Sequence, residues 1–581
     1  MTAPSPTGTT PVRLTDRALV RWRAGRMGRS ALVSTPEPRM IGQYARGRQM
    51  IAGNFLLAGE LIESPGQVPF AAHTPDAVDA LHGFDWLDHL AAVGDLEARK
   101  LAQSGVTDWL ARFGRGAGPG WVPDLAGRRV IRWIAHAVFL MQGMAAPDQE
   151  RFLRCIALHA DYLARRASRA SAGLPRIEAQ VGLLYASLSL EGLAGNVSWG
   201  ARQLIESVNA VVQPDGGLRS RNPEDLLQVC ELLSWAAQAL EDAGLPCPPA
   251  LLDHLDRIAT ALRVVRHADG GLARFHGGGR GAEGALANAL AIHDRLSPSS
   301  LGPAPDMAMG FARLSAGRCT VIIDAAAPPM KVAAGRAHAS TLAFELTSNR
   351  RPVIVSCGDG RSFGPDWHRA SRATASHSSL AFEGYSSSRF AATAKTRLSL
   401  ADGPRHVGVE FRHAPHARAV ALSHDGYTAS HGLEHLRYLD LSADGRVLTG
   451  GDTLVATTKA EKHRFDQVMG RMGDAGLPFA VRFHLHPEAE PSLDMNGTAV
   501  SIALRSGELW VFRADGRVLE LSPSVYLEKG RLKPRPSQQI VLSLRATDYT
   551  TQINWSMAKA QETPTALRDL VEDNPLAVPR L

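Results

Sequence analysis

The sequence of 581 residues has few cysteines and no long apolar run. Its five cysteines are widely spaced and form no Cys-x-x-Cys pair, which excludes a disulfide framework and a zinc ribbon and favours buried free thiols in a reducing compartment. No stretch approaches 18 uninterrupted apolar residues, and the basic N-terminus lacks the apolar segment of a secretory signal. We therefore expect a cytoplasmic protein without a transmembrane segment.

Acidic residues are outnumbered: Lys and Arg total 64, Asp and Glu total 57, and the net charge is +7. Such a balance favours an anionic partner, which could be nucleic acid, a membrane surface or an acidic polysaccharide. Charge alone does not choose among them, and a genome rich in GC explains an excess of Arg equally well. A nucleic-acid partner would rest only on this charge, and we expect none.

The chain is too long for a single compact core, and its length predicts two domains. From about residue 40 to 295, apolar residues recur at helical spacing in segments such as "DAVDALHGFDWLDHLAAV" and "PEDLLQVCELLSWAAQALEDAG". Seven or more amphipathic helices in succession indicate stacked helical hairpins. They could form an open solenoid or a closed toroid, since no strict repeat is visible.

The pattern changes after the Pro- and Ser-rich segment "RLSPSSLGPAPDM". Beyond it come short alternating runs such as "TLAFELTS" and "AVSIALRSG", with recurrent turn signals, which predict a large antiparallel β-sandwich. We divide the chain into an N-terminal extension (1–39), a helical domain (40–300), a β-sandwich (301–555) and a C-terminal tail (556–581). Pockets tend to form between domains, so the junction is the expected site.

Polar residues cluster in segments predicted to be loops near this junction. In the helical half, "PDGGLRSRNPEDLL" contains Asn222 followed by Pro223, the pattern of a helix N-cap. In the β half, "GRAHASTLAFEL" places Arg336 and His338 two apart, so that they share one face of a strand. The loop "GDGRSFGPDWHRASRATASHSSLAF" is far longer than a hairpin needs and is rich in Arg and His.

Several of these segments together resemble one known family. "RAHASTLAFEL", "RPVIVSCG", "WHRASRATASHSSL" and "GLEHLRYLDL" look like the C-terminal domain of heparinase II/III-like proteins, and "LHGFDWLDHL" and "HADGGLARF" are similar to bacterial members. The resemblance covers roughly residues 40 to 550. It implies an N-terminal (α/α) toroid joined to a C-terminal antiparallel β-sandwich, and a lyase that cleaves uronate-containing polysaccharides by β-elimination.

This chemistry needs a cation at the uronate carboxylate, a base for the C5 proton and an acid for the departing O4. The sequence departs from the family pattern at several of the positions concerned. A Ser-Pro-x-Tyr-His motif of active members reads "NPEDL" here, so Asp225 and Leu226 stand where Tyr and His are expected. The first His of a His-x-His motif is Arg336, and only the second, His338, is kept. Where active members have an Asn-His pair before a helix that begins Gly-Leu, this chain reads "LPRIEAQVGL".

The resemblance also implies a metal site with an altered ligand set. Zinc-binding members use the second His, an Asp at the end of the next strand and the His of a His-Asn-Thr motif. His338 and His377 match two of these positions, but the Asp position is Ser356. A zinc site normally needs three protein ligands, so any zinc would occupy an incomplete site.

We therefore expect His338, His377 and Asn222 to be catalytic, and Arg221, Arg336 and Arg372 to bind substrate carboxylates. Arg221 and His338 should meet at one cationic trench between the domains. Two functions remain open: a lyase with a rearranged site, or an impaired member that binds an acidic glycan without cleaving it.

Overall fold

The computed structural model describes residues 12–297, 304–391, 399–472, 475–516 and 518–560. Most of the tail predicted after residue 555 lies outside these ranges, although the last strand extends to Lys559. The N-terminal part is helical and contains α1 (Leu14–Ala24), α2 (Tyr44–Ile51), α3 (Pro75–Gly83), α4 (Asp85–Val93), α5 (Leu96–Phe113), α6 (Pro123–Ala135), α7 (Ala137–Met141), α8 (Ala146–Arg166), α9 (Leu174–Ser189), α10 (Val197–Asn209), α11 (Pro223–Asp242), α12 (Pro249–Val264) and α13 (Ala285–Leu296). None of the described helices is both long and apolar enough to cross a bilayer.

Helix starts follow the local sequence. Asn222 caps α11, because its side-chain oxygen accepts hydrogen bonds from the backbone N–H groups of Glu224 and Asp225, and Pro223 occupies the first helical position. Helices α6 and α9 cross in close contact, since a Cβ placed on Gly182 would lie 2.5 Å from the Cα of Gly127. Glycine at both positions lets the two backbones touch.

The helical half also contains one hairpin that the sequence pattern did not predict, β1 (Asn54–Leu57) with β2 (Glu60–Glu63). All remaining strands follow the helices: β3 (Met307–Ala308), β4 (Phe311–Ala316), β5 (Cys319–Asp324), β6 (Phe344–Ser348), β7 (Arg351–Ile354), β8 (Leu380–Phe382), β9 (Arg389–Phe390), β10 (Leu400–Asp402), β11 (Val407–Ala414), β12 (Ala417–His424), β13 (Glu434–Ser442), β14 (Val447–Val455), β15 (Leu477–His484), β16 (Ala489–Asp494), β17 (Ala499–Leu504), β18 (Leu509–Ala514), β19 (Glu520–Tyr526), β20 (Arg535–Ala546) and β21 (Thr550–Lys559). Three short or medium helices interrupt them: α14 (Pro365–Ala370), α15 (Thr428–His431) and α16 (Lys459–Met472).

The strands form antiparallel sheets in two layers. An eight-stranded sheet has the order β11-β12-β13-β14-β21-β18-β17-β16, and it faces a five-stranded sheet, β3-β4-β5-β6-β7, and a four-stranded sheet, β19-β20-β15-β8. A bridge between Ile354 and Leu485 links the two smaller sheets. The predicted order, a helical toroid followed by an antiparallel β-sandwich, is confirmed.

The five-stranded sheet joins the two domains because both of its faces are buried. Phe311 and Ile322 belong to the apolar core of the helical domain, whereas Val321 and Ile323 point into the core of the sandwich. This alternation follows from the two-residue period of a strand. The residues that precede and follow these strands therefore lie at the domain junction.

Candidate functional site

Arg221 lies at the junction in a left-handed backbone conformation, with φ of 50°. All five N–H donors of its guanidinium have acceptors, all contributed by the β domain: the backbone oxygens of Met309, Gly310, Ala326 and Ala327, and Oδ1 of Asp324. The distance to Asp324 is 2.5 Å. A substrate carboxylate could bind Arg221 only by displacing one of these partners, so the placement gives this arginine a role in joining the domains.

Asp324, at the end of β5, is the centre of a buried polar cluster. Its Oδ2 accepts a hydrogen bond of 2.6 Å from the Ser340 hydroxyl and lies 3.3 Å from Nε2 of His276. Burial by itself raises the pKa of Asp324, but the charges of Arg221 and His276 outweigh burial and hold that pKa well below its ordinary value. The carboxylate is therefore the anion that both domains share.

His338 and His377 form the pair that the sequence predicted, and they continue this cluster. The backbone N–H of His338 donates to Nδ1 of His276 at 3.2 Å, and its own Nδ1 lies 3.2 Å from Nε2 of His377. Nδ1 of His377 lies 2.9 Å from the Ser356 hydroxyl. Burial lowers the pKa of His377 to about 3 and that of His338 well below its ordinary value. Both rings are neutral and enclosed near pH 7.

This donor set does not fit zinc. Ser356 lies beside His377, at the position where zinc-binding relatives have an aspartate. The serine hydroxyl is neutral, however, and it is already hydrogen-bonded to the imidazole of His377. The described residues contain no group of three or more His, Cys, Asp or Glu side chains that could hold a metal ion. We derive no chemistry from a metal at this position.

Two of the three other residues expected at the site hold loops in place. Asn222 is 1% exposed and caps α11. Arg372 is buried, and its Nε and Nη2 donate to the backbone oxygens of Ala337 and Ala334 at 2.8 and 2.7 Å. Arg372 thereby fixes the segment that carries His338.

Arg336 alone among the expected arginines is half exposed, with 49% of its side chain accessible. Its Nη1 lies 3.3 Å from Oδ1 of Asp225, on the first turn of α11. Asp225 thus stands at the position of a Tyr in the family motif and Arg336 at the position of a His, and the two form an ion pair between the domains. Next to them, Lys529 contacts Glu224 at 2.5 Å and makes a second bridge.

Sequence reasoning missed two acids that organise the junction, Asp324 and Glu345. Oε2 of Glu345 accepts from the backbone N–H of Arg274 at 3.1 Å and lies 3.0 Å from Nε2 of His267, while Oε1 accepts from the N–H of Ser356 at 3.3 Å. A signal was present in "TVIID" and "TLAFEL", since each run places an acid among apolar residues of a buried strand. Charged residues are seldom buried unless they are paired.

Arg221 and His338 do converge, since both are linked to Asp324, one directly and the other through His276. They are only 8% and 2% exposed, however. Their meeting point is a closed network of hydrogen bonds and contains no open cationic trench at these two side chains. This network of hydrogen bonds and ion pairs holds the toroid and the sandwich together.

Comparisons with known proteins identify relatives that share this architecture. A model of the heparinase II/III-like C-terminal domain matches residues 301–556. FtsZ-localized protein C of Caulobacter vibrioides is 30% identical over 534 residues, which cover 90% of this chain and 89% of that protein.

Two solved structures share the fold at low sequence identity. The crystal structure of heparinase III matches with a TM-score of 0.67 at 14% identity, over 94% of this chain and 89% of that one. A mutant of heparan sulfate lyase HepC from Pedobacter heparinus matches with a TM-score of 0.58 at 14% identity, over 94% and 88% of the two chains. Together with the longer sequence match, these findings show that the chain belongs to the heparinase II/III-like family.

Proposed function

We propose that this chain, although it belongs to the heparinase II/III-like family, binds a partner and does not cleave polysaccharide. The observation that carries the proposal is the ion pair between Arg336 and Asp225. Two positions that the family uses for proton transfer hold a permanent cation and its counter-ion. A carboxylate in an ion pair has no proton to give to a departing O4, and a guanidinium does not take a proton from C5.

The other groups that an elimination needs are engaged elsewhere. The carboxylate of a uronate must be neutralised before its C5 proton becomes acidic enough to remove. Arg221 has no unused donor for that purpose, and Arg372 is buried against the backbone. His338 and His377 are closed off by burial and have pKa values far below that of an effective general base at neutral pH. Binding of an acidic glycan stays a prediction that now rests mainly on Arg336.

The sequence match favours a different kind of partner. The relative from Caulobacter vibrioides, which matches almost the whole chain, is named for its localisation with FtsZ. We therefore propose that this chain, too, localises with FtsZ, and that it works in the cytoplasm. Fold alone does not transfer function, so this proposal rests on a match that spans both domains at 30% identity.

A fluorescent fusion of the full chain, expressed in cells that contain FtsZ, should colocalise with FtsZ and disperse when FtsZ is depleted. Arg336→Ala and Asp225→Ala should localise as the parent does, because the proposed role uses no proton transfer at these positions. A fusion that stays diffuse, or one that loses its position when either side chain is removed, would contradict the proposal.

A further inference from the structure

An open cationic cavity lies at the seam between the helical domain and the sandwich, and of the site residues described above only His267 lines it. Its volume is about 360 Å³, and it lies between the loop after α12 and the hairpin of β4 and β5. We call it the seam cavity, and the side chains that define it belong to Arg263, Arg266, Arg313, Arg318, Ser315 and Thr320. No Asp or Glu is among the described residues that line it.

The cavity is separated from the Asp324 cluster by the length of a strand. β4 and β5 pair from Phe311 opposite Asp324 at one end to Ala316 opposite Cys319 at the other. At about 3.3 Å per residue, five residue steps put the two ends about 16 Å apart. The cavity is therefore a distinct feature of the junction, at the opposite end of the same hairpin.

Arg313 is held rigidly inside the cavity. Its Nη1 donates to the backbone oxygens of Val264, at 3.2 Å, and Arg266, and its Nη2 lies 3.4 Å from the Thr320 hydroxyl. These contacts cap the C-terminal end of α12, where carbonyl oxygens lack helical partners. They leave Nε of Arg313 without a protein acceptor among the described residues.

Arg266 adds a second positive charge that no acid balances. Its half-buried guanidinium makes no hydrogen bond or ion pair with any residue that the structure describes. Burial and the charge of Arg266 lower the pKa of Arg313 to about 10. In contrast, Arg263 is paired with Asp294. Two neighbouring cations are thus kept close together at an energetic cost that an anion would remove.

A second hollow adjoins this one and shares Ser315 with it. It is also open and has a volume of about 400 Å³, and its lining includes Arg418 and His413. Volumes of this size are typical of sites for small molecules. The two hollows together could hold an anionic group and an attached polar body.

We propose that the seam cavity binds a small ligand that carries a phosphate group. The lining includes arginines from both the loop after α12 and the β4–β5 hairpin, together with the hydroxyl residues Ser315 and Thr320. A phosphate has three terminal oxygens and about two negative charges, so it can accept from several arginines at once. A single carboxylate offers two oxygens and one charge and would leave one of the cations unbalanced.

The test is isothermal titration calorimetry of the full chain with inorganic phosphate, glucose 6-phosphate, glucose and glucuronate at constant ionic strength. Arg266→Gln removes the unpartnered cation, and Arg202→Gln on α10 is the matched control, since Arg202 is exposed and lies outside the cavity. We expect both phosphate probes to bind, glucose and glucuronate to bind at least about tenfold more weakly, and Arg266→Gln to weaken phosphate binding at least about tenfold. Arg202→Gln should bind as the parent does. The inorganic phosphate and glucose 6-phosphate arms show whether the ligand's polar body adds affinity.

A second measurement, thermal unfolding with and without phosphate, separates loss of the binding site from loss of the fold. Because Arg266 repels Arg313 and has no partner, Arg266→Gln should unfold at the same temperature as the parent or slightly higher when no ligand is present, while its shift on adding phosphate disappears. The proposal is overturned if neither phosphate probe binds, if glucuronate binds as tightly as phosphate, or if Arg266→Gln and Arg202→Gln bind phosphate equally.

Discussion

Asp324→Ala is expected to destabilise the protein by about 3–5 kcal/mol, the usual cost of breaking a buried ion pair by removing one partner. The substitution would leave the guanidinium of Arg221 without its anion in a site that excludes water, and it would also remove the acceptor of the Ser340 hydroxyl. The shape of the site would change little, because the four backbone oxygens around Arg221 remain. The loss therefore measures the charge interaction and not a collapse of the loop.

The measurement is the urea midpoint of unfolding, followed by far-ultraviolet circular dichroism and by tryptophan fluorescence, since two domains need not unfold together. Asp225→Ala is a matched control, because it also breaks an Arg–Asp pair between the domains, but at a half-exposed arginine. Exposed pairs contribute about 0–1 kcal/mol. Equal shifts of the midpoint in Asp324→Ala and Asp225→Ala would contradict the central position that we give Asp324.

Acid is expected to destabilise the protein through its buried histidines. Burial lowers the pKa of His377 to about 3 and that of His484 to about 4, and it lowers the pKa values of His338 and His424 well below their ordinary value. A histidine in the unfolded chain has a pKa near 6.5. Below about pH 6.5 these histidines are therefore protonated in the unfolded chain but stay neutral in the folded one. The contribution of these histidines to stability is therefore complete above that pH and is lost as the pH falls toward 4.

Each imidazole that stays neutral in the fold should contribute a slope of about 1.4 kcal/mol per pH unit in this window. Urea midpoints measured from pH 7.5 to 4.5 give the slope. His377→Gln should reduce it by about one such unit, whereas His416→Gln should leave it unchanged because His416 is exposed. An equal slope in the parent and in His377→Gln would show that this buried ring can be protonated without cost.

Much of the architecture could be predicted from the sequence because it depends on periodic burial. Segments with apolar residues at helical spacing became helices such as α11, and alternating runs such as "TLAFELTS" became strands. The hairpin of β1 and β2 was not predicted, since four-residue strands leave little periodic signal. The helix α16 was missed as well, because Phe465 is its one buried residue and its apolar face is narrow.

The candidate site was harder to predict, because pairing across domains has no local signature. The residue types around Arg336 and His338 pointed to the junction, and the structure does place His338, His377 and Ser356 in one row. Nothing in the local sequence of Arg221 revealed that its five donors would meet acceptors 88 to 106 residues away. The same residue type can bind a ligand or join two domains, and only the acceptors around it decide which.

The seam cavity likewise has no local signature in the sequence. Arg266 comes from the loop after α12, whereas its neighbour Arg313 comes from a strand 47 residues later. Because their proximity depends on how β4 packs against the end of α12, the sequence alone gave no reason to group them. Arg266 and Arg313, which no acid among the described residues balances, thus lie at the opposite end of the hairpin from Asp324.

The central claim is that pairing Arg336 with Asp225 has replaced the proton-transfer groups of this family. Its most direct test is the formation of 4,5-unsaturated uronyl product, followed by ultraviolet absorbance, when the folded protein is incubated with heparan sulfate, chondroitin sulfate, alginate and polygalacturonate. An active lyase of this fold serves as the positive control. We predict no product above the rate without protein on any of the four polymers, and steady production of unsaturated uronate on any one of them would contradict the claim.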